Sequence, residues 1–318
     1  MPLYNEQETL PELARRLTAL LDELDGDAEV ILVDDGSSDR THPIMWELHE
    51  ADQRFKTLRL SRNFGHQVAI TAGLDLAQGD AVVILDGDLQ DPPELVHQFV
   101  ERWREGYEVV YGIRADRASE PFFKRVATGL FYRALRRLTA LDIPIDVGDF
   151  RLVDRKALDA FRKLREHDRY VRGLFAWVGF AQIGVPYRRD PRYAGKTKYP
   201  FSKLVKLGAD GVVGFSKVPL KLALTFGFIF SAASFVYGLS AIVKRILGIG
   251  YVPGWASVVA VVTFIGGVQL IVMGMMGIYV GRIYDEVKQR PLYVVRDAQG
   301  FGGVEDDEAA PALYEREE

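Results

Sequence analysis

The chain has 318 residues, a formal net charge of -4 and no cysteine, which leaves room for one core of ordinary domain size with an attachment and excludes disulfides and Cys-ligated zinc. No self-similarity at periods of roughly 20 to 50 residues marks a repeat protein. The near-neutral average hides two unlike parts, because charged residues thin out abruptly after Lys221.

Residues 1–28 are polar and charged, without the central apolar run of a cleavable signal. In "ETLPELARRLTALLDEL", Leu10, Leu13, Leu17, Leu20 and Leu24 recur on one helical face. Short runs rich in Val, Ile and Leu follow at "EVILVDD" (29–35), "KTLRLS" (56–61), "DAVVILD" (80–86) and "EVVYG" (108–112), with helical patterns between them. This alternation predicts an α/β layered fold on a mainly parallel sheet, with ligands beyond the carboxyl ends of the strands. Acidic clusters stand at those ends, "VDDGSSD" (33–39) after one run and "DGDLQDPPE" (86–94) after another.

In "DGDLQDPPE", Asp86 and Asp88 lie two apart, so in extended backbone their carboxylates point the same way, and Gly87 lets the chain bend between them. With the amide oxygen of Gln90 they make an all-oxygen set suited to Mg²⁺ or Mn²⁺, which keep positions open for water and substrate phosphate. Pro92 and Pro93 restart the chain as a helix, with Asp91 as its N-cap. Taken alone, the cluster reads more readily as a solvated turn.

Two uncharged stretches, 22 residues at 222–243 and 26 at 255–280, each exceed the roughly 20 residues that cross a bilayer core. The short linker "KRILGIGYVPG" makes them a hairpin; the alternative, a pair of buried core helices, is unusual at such uninterrupted apolar length. Lys196, Lys198, Lys203, Lys206, Lys217 and Lys221 precede the first span against Lys244 and Arg245 in the loop. Both termini and the globular part are therefore expected on the cytoplasmic side of the cell's inner membrane. The segment 196–221, lysines mixed with Phe201, Leu204, Val205 and Phe215, reads as short helices in the headgroup layer. Gly277 and Gly281 form a small-residue pair able to seat a neighbouring helix of a homo-oligomer. Residues 281–318 read as a cytoplasmic tail, acidic and disordered after about residue 300.

Six stretches stand together in one order: "PLYNEQETL" (2–10), "VDDGSSD", "SRNFGHQVAITAGL" (61–74), "DGDLQDPPE", "DVGDFRLVDR" (146–155) and "RYAGKTKYPFSKL" (192–204). Together they resemble the family 2 inverting glycosyltransferases of GT-A fold, in the subgroup of polyprenyl-phosphate glycosyltransferases. That subgroup includes bactoprenol glucosyltransferases and dolichyl-phosphate mannose synthases. The resemblance runs from Pro2 to about Arg296 and implies a GT-A catalytic domain over 1–195.

By the same resemblance, Pro2, Tyr4 and Glu6 line the donor's nucleoside pocket with Asp35 nearby. Glu6 reads equally as a helix-start acid, and Asp34 as a structural strand end. Asp86, Asp88 and Gln90 hold a divalent cation, Mg²⁺ or Mn²⁺, that bridges the diphosphate of a nucleotide sugar and assists its departure. Arg114, with Lys124 or Arg125, meets the phosphate of the polyprenyl (undecaprenyl-type) acceptor, and Arg192, Lys196 and Lys198 close on the diphosphate. Each of these cations also reads as an ordinary surface residue. Asp149 and Asp88 are the catalytic candidates. A phosphate monoester has a second pKa of about 6 and attacks as an anion unaided, so Asp149 is expected to orient the acceptor or a neighbouring cation. One direct displacement inverts the anomeric centre, and "DVGDFRLVDR" with "YVPGW" favours glucose from UDP-glucose.

Two departures stand out. Members of the family have an apolar strand before "PxYNE", whereas here "MPLYNE" opens the sequence; a start further upstream is expected, since a gap in the sheet leaves backbone groups unpaired. "QFVERW" (98–103) superficially resembles the QxxRW signature of processive synthases, but its spacing is one residue too long and it reads as a plain helix face. A processive polysaccharide synthase and an inactive membrane-anchored scaffold are the alternatives. The missing signature argues against the first, and intact Asp86, Asp88 and Asp149 against the second.

Overall fold

The structure, a computed structural model, describes residues 1–115, 147–190, 218–247 and 254–301. The chain divides into two compact units, Met1–Leu207 with Arg290–Glu318, and Gly208–Gln289. In chain order the first unit carries β1 (Pro2–Leu3), α1 (Leu10–Glu23), β2 (Val30–Asp34), α2 (Thr41–Ala51), β3 (Phe55–Leu60), α3 (His66–Leu76) and β4 (Ala81–Ile84). A 3₁₀ turn (Pro93–Leu95) runs into α4 (Val96–Arg104), followed by β5 (Val109–Arg114), β6 (Val147–Asp154), α5 (Arg155–Arg162), α6 (Val171–Val178), β7 (Gln182–Tyr187) and, after the second unit, β8 (Val295–Gln299).

Local sequence accounts for these elements. α1 begins with proline in its first turn and buries Leu10, Leu13, Leu17 and Leu20, while Leu24 is its C-cap. α4, which contains "QFVERW", is a plain helix that sinks Phe99 into the core and bonds Trp103 Nε1 to Asp154 Oδ2 at 2.8 Å. Phe99 and Phe150 pack at 4.7 Å between ring centroids, and Phe161 stacks on Phe175 at 4.4 Å. Each such burial contributes roughly 1.5–3 kcal/mol.

The strands do not form the single mainly parallel sheet expected. They make two four-stranded sheets, β1-β2-β3-β8 and β4-β6-β5-β7. β1–β2, β2–β3 and β5–β7 pair in parallel, whereas β3–β8, β4–β6 and β5–β6 are antiparallel. The difference comes from strands that composition does not announce. β6 carries Gly148, Asp149 and Arg151 within an apolar run, yet buries all three, because Arg151 donates to the Gly148 carbonyl at 3.1 Å and Asp149 meets an arginine described below. β8 is polar, and it lies in the stretch expected to be a tail. It pairs along the outer edge of β3, where Asp297 stands 3.5 Å from both Arg59 and His42, while Tyr293 bonds Asp75 at 2.9 Å. Residues beyond 301 lie outside the described structure.

Pro2 and Leu3 do pair with Val33 and Asp34, and the Met1 amino group donates to the Ile31 carbonyl at 2.8 Å. Below this two-residue strand a cavity of about 1010 Å³ lies against Val30 and Ile31 of β2, Val82 and Val83 of β4, Leu20 and Trp103.

The second unit contains α7 (Val218–Ile246) and α8 (Trp255–Lys288), which meet edge to face at Phe230 and Phe264, 5.4 Å apart. Their apolar side chains stand uncovered, as at Phe228, Phe235, Leu270 and Met273. Among the described residues one helix, Ala260–Lys288 within α8, is long and apolar enough to cross a membrane; the apolar stretch of α7, Ala223–Tyr237, is shorter. A Cβ added at Gly277 or Gly281 would meet nothing within 4 Å. The expected interfacial segment lies outside the described residues up to 217, and so does the loop at 248–253.

Candidate active site

The loops after β1 and β2 are stitched together. Asn5 N donates to Ser37 Oγ at 2.9 Å, Ser38 N returns a bond to Asn5 Oδ1 at 2.9 Å, and Glu6 N donates to Thr41 Oγ1 at 2.8 Å. Glu6 Oε2 accepts from Thr9 Oγ1 at 3.1 Å, and Glu6 stands ahead of the N-cap Thr9 with Glu12 as the acid of the first turn. Tyr4 is exposed. Asp34 accepts from Ser37 N, and the buried Asp35 accepts from Phe64 N at 2.7 Å and Gly65 N at 3.0 Å, which ties the loop after β3 to the end of β2. Burial raises the Asp35 carboxyl above its ordinary value, with the two amide bonds opposing. Gly36 is needed here: its φ is +70°, and a Cβ would lie 2.6 Å from the Arg62 carbonyl carbon.

The turn after β4 carries Asp86, Asp88 and Gln90. Gly87 lets it press on β1, since a Cβ there would collide with Leu3. Leu89 adopts a φ of 56° and plugs the core with its buried side chain. Asp88 Oδ1 accepts from Gln90 N at 3.2 Å, whereas Asp86 Oδ1 is buried with no hydrogen-bond partner. Burial, with Asp149, Asp91 and Asp88 close by, pushes the Asp86 carboxyl up to about 6 although His66 pulls the other way. Asp91 is not the expected N-cap, because Pro92 holds that position without a side-chain bond. Asp91 instead turns inward, fully buried, where Oδ1 accepts from Tyr187 OH at 2.5 Å and meets Arg189 Nε at 3.3 Å.

The residues present fit a divalent cation. No cluster of three or more His, Cys, Asp or Glu side chains occurs among the described residues, which rules against a protein-only cage there. A cation that takes one or two carboxylates and completes its shell with water and phosphate oxygens needs no such cage, and the orphaned Asp86 oxygen beside Asp88 supplies the charge.

Asp149 sits on β6 with only 2 % of its surface exposed. Arg172 Nε and Nη2 donate to its two oxygens at 2.8 and 3.1 Å, and Gln67 Nε2 and His66 Nε2 each stand 3.3 Å from Oδ2. Burial acts to raise this carboxyl, but Arg172 and His66 outweigh it and hold it well below the usual range. His66 Nε2 is also 3.4 Å from Asp86 Oδ1. Burial lowers the imidazole's pKa, yet the two carboxylates win and raise it. Asp86 and Asp149 thus share one centre.

His66, Gln67 and Arg172 were not among the candidates from the sequence. The first two lie in "SRNFGHQVAITAGL", directly after a glycine and at the start of a helix, a signal that was there to use. Arg172 had none, since its bond to Asp149 spans 23 positions. Arg114 ends β5 beside Gly148, where an added Cβ would lie 2.8 Å from its Nη2. Lys124, Arg125, Arg192, Lys196 and Lys198 lie outside the described residues.

The family model described as "Glycosyl transferase family 2" matches residues 1–162. The chain is 47% identical to the uncharacterized glycosyltransferase YkcC of Bacillus subtilis, over 95% of this chain and 93% of that protein. It is 36% identical to the SfII prophage-derived bactoprenol glucosyl transferase of Shigella flexneri, over 93% and 96%. Among solved structures, glucosyl-3-phosphoglycerate synthase from Mycobacterium tuberculosis, in complex with Mn²⁺, UDP-glucose and phosphoglyceric acid, overlaps 67% of this chain and 75% of its own at 21% identity and a TM-score of 0.47. The chain belongs to glycosyl transferase family 2. It is a glycosyltransferase, and its α/β unit with mixed sheets is the GT-A arrangement of that family.

Proposed function

We propose that the enzyme transfers a hexose, glucose from UDP-glucose, to a polyprenyl phosphate at the cytoplasmic face of the membrane, with inversion. The observation that carries this reading is the shared centre, where a carboxylate pair suited to a cation–diphosphate and a buried carboxylate–arginine pair lie within reach of one imidazole. The likeness to a bactoprenol glucosyl transferase supports the choice of sugar and acceptor.

Asp86 and Asp88, with Gln90, hold the cation, which when bound neutralises charge on the departing nucleoside diphosphate. Pro2, Tyr4, Glu6 and Asp35 border the nucleoside. Asp149 orients and does not take a proton, because it already receives four donors and lies well below the ordinary carboxylate range. The acceptor phosphate, ionised near neutral pH, attacks the anomeric carbon as an anion. Arg114, Lys124, Arg125, Arg192, Lys196 and Lys198 are the cations for its phosphate and for the diphosphate.

Pairing of β8 with β3 also supports a two-helix hairpin. With α8 as a crossing, the pairing of β8 with β3 favours α7 as a second that returns the chain to the same side. Both termini and the catalytic unit then share the lysine-rich, cytoplasmic side.

Membranes bearing the enzyme, given undecaprenyl phosphate, Mg²⁺ and a panel of radiolabelled nucleotide sugars, should place label in the lipid phase from UDP-glucose as a β-linked product. Label from another donor alone would reassign the sugar, and no lipid-phase label from any donor would overturn the acceptor.

A further inference from the structure

Tyr187 ends β7 with its side chain buried and its ring fixed on two sides. The ring packs edge to face on Phe150 at 5.9 Å between centroids, and it lies so close over Gly112 that a Cβ there would come 2.7 Å from Cε1. That settles where the hydroxyl stands. It donates to Oδ1 of the fully buried Asp91 at 2.5 Å, and Arg189 Nε lies 3.3 Å from the same oxygen. Arg114 comes to this hydroxyl from β5. The two strands run parallel with Arg114 opposite Tyr187, so both side chains leave one face of the sheet, and Ala115 N donates to the Tyr187 carbonyl at 2.9 Å. The guanidinium bonds the phenol oxygen and lies against Gly148, where an added Cβ would be 2.8 Å from Nη2. Arginine only donates, so the hydroxyl accepts from Arg114 and donates to Asp91. Burial and Asp91 raise the phenol above its ordinary value while Arg114 opposes them, and the proton stays on the oxygen. Arg114 Nε has no partner, which leaves part of its donor fork unused one residue from Asp149.

We propose that Tyr187 is a positioning residue for the acceptor: its hydroxyl, held by Asp91, fixes the guanidinium of Arg114 beside Gly148, where that guanidinium meets the acceptor's phosphate. A free arginine gives up rotamer freedom when it binds an anion, and one already held gives up less. Asp91 directly follows Gln90, whose carbonyl accepts from Asp190 N at 2.9 Å. The acceptor arginine is thereby tied to the turn that carries the cation residues. This inference rests on the reading of Arg114 as a phosphate residue and is independent of the sugar.

Farnesyl phosphate is the probe for the acceptor side and UDP with Mn²⁺ the control for the donor side, both titrated calorimetrically into the full chain in detergent. Tyr187→Phe, which loses only the hydroxyl, should weaken farnesyl phosphate about tenfold, the size of one hydrogen bond to a charged group, and leave UDP–Mn²⁺ affinity unchanged. Asp91→Asn keeps the tyrosine but removes the charge that holds it, and should shift farnesyl phosphate in the same direction. Arg114→Gln should weaken it at least as much as Tyr187→Phe. Adding Tyr187→Phe to Arg114→Gln should then cost nothing more, because the hydroxyl acts only through the guanidinium. Additive losses would overturn the inference. So would an equal loss of UDP–Mn²⁺ affinity in Tyr187→Phe, the mark of a generally loosened site. Native-like farnesyl phosphate binding in Tyr187→Phe and Asp91→Asn, with a loss in Arg114→Gln, would overturn the positioning role and spare the reading of Arg114. Binding untouched by Arg114→Gln, or absent from the native chain, would overturn that reading and the inference with it.

Discussion

Replacing Asp86 by asparagine should abolish Mn²⁺ binding and at the same time stabilise the metal-free protein. The Asp86 carboxyl is pushed from 3.8 to about 6 by burial and by Asp149, Asp91 and Asp88. A shift of about two pH units is worth about 3 kcal/mol. Because 21 % of the side chain still meets water, screening brings the working figure to about 2 kcal/mol. The folded protein keeps a proton that the unfolded chain releases between about pH 4 and pH 6, so stability falls as pH rises through that window and the full penalty stands near pH 8. Asparagine carries no charge and escapes it. Scanning fluorimetry in excess EDTA near pH 8 should show the variant melting roughly 4–8 °C above the native chain, at about 2–4 °C per kcal/mol for a unit of this size. The gap should close toward pH 4, and Mn²⁺ should raise the melting temperature of the native chain only. A variant that melts lower near pH 8, or a gap that does not shrink on acidification, would refute the reasoning.

Arg172→Gln leaves a buried carboxylate without its cation and should cost about 3–5 kcal/mol near neutral pH. Asp149 in the native chain is depressed, so its contribution is present above about pH 4 and lost only well below; without Arg172 the carboxyl loses its largest depressing partner, so the penalty should shrink as pH falls and that loss should begin at higher pH than in the native chain, read in thermal melts. Asp149→Asn should lower kcat while the acidic limb of the pH–rate profile stays where it is in the native enzyme, since that limb belongs to the acceptor's second ionisation near about 6; disappearance of the limb would make Asp149 a base. Tyr187→Phe removes a donor from the fully buried Asp91 and should cost about 1–3 kcal/mol in denaturant melts, with a change under about 0.5 kcal/mol counting against that anchor.

What could be read from the sequence follows physical range. Strands β2 to β5 announced themselves through apolar runs, β2 and β4 closed by acid, and α1 through its leucine spacing, because burial of each is decided within a few residues. β6 and β8 did not. Asp149 of β6 is held by Arg172, and Asp297 of β8 faces Arg59 and His42; such partners come from other elements and leave no local period. The site divides in the same way. Asp86, Asp88 and Asp149 lie in motifs that name them, whereas Arg172 and the inward turn of Asp91 exist only once β6, α6 and β7 are packed.

The pairing of β8 with β3 also bears on how the protein is made. Synthesis runs from the amino end, so β3 leaves the ribosome long before its neighbour and waits with one edge bare until α8 has been produced. An open edge invites association with other chains. Translation that halts after α7 would release an enzyme with most of its site residues and an unguarded sheet, and completion of α8 thereby becomes a step in folding the catalytic unit itself.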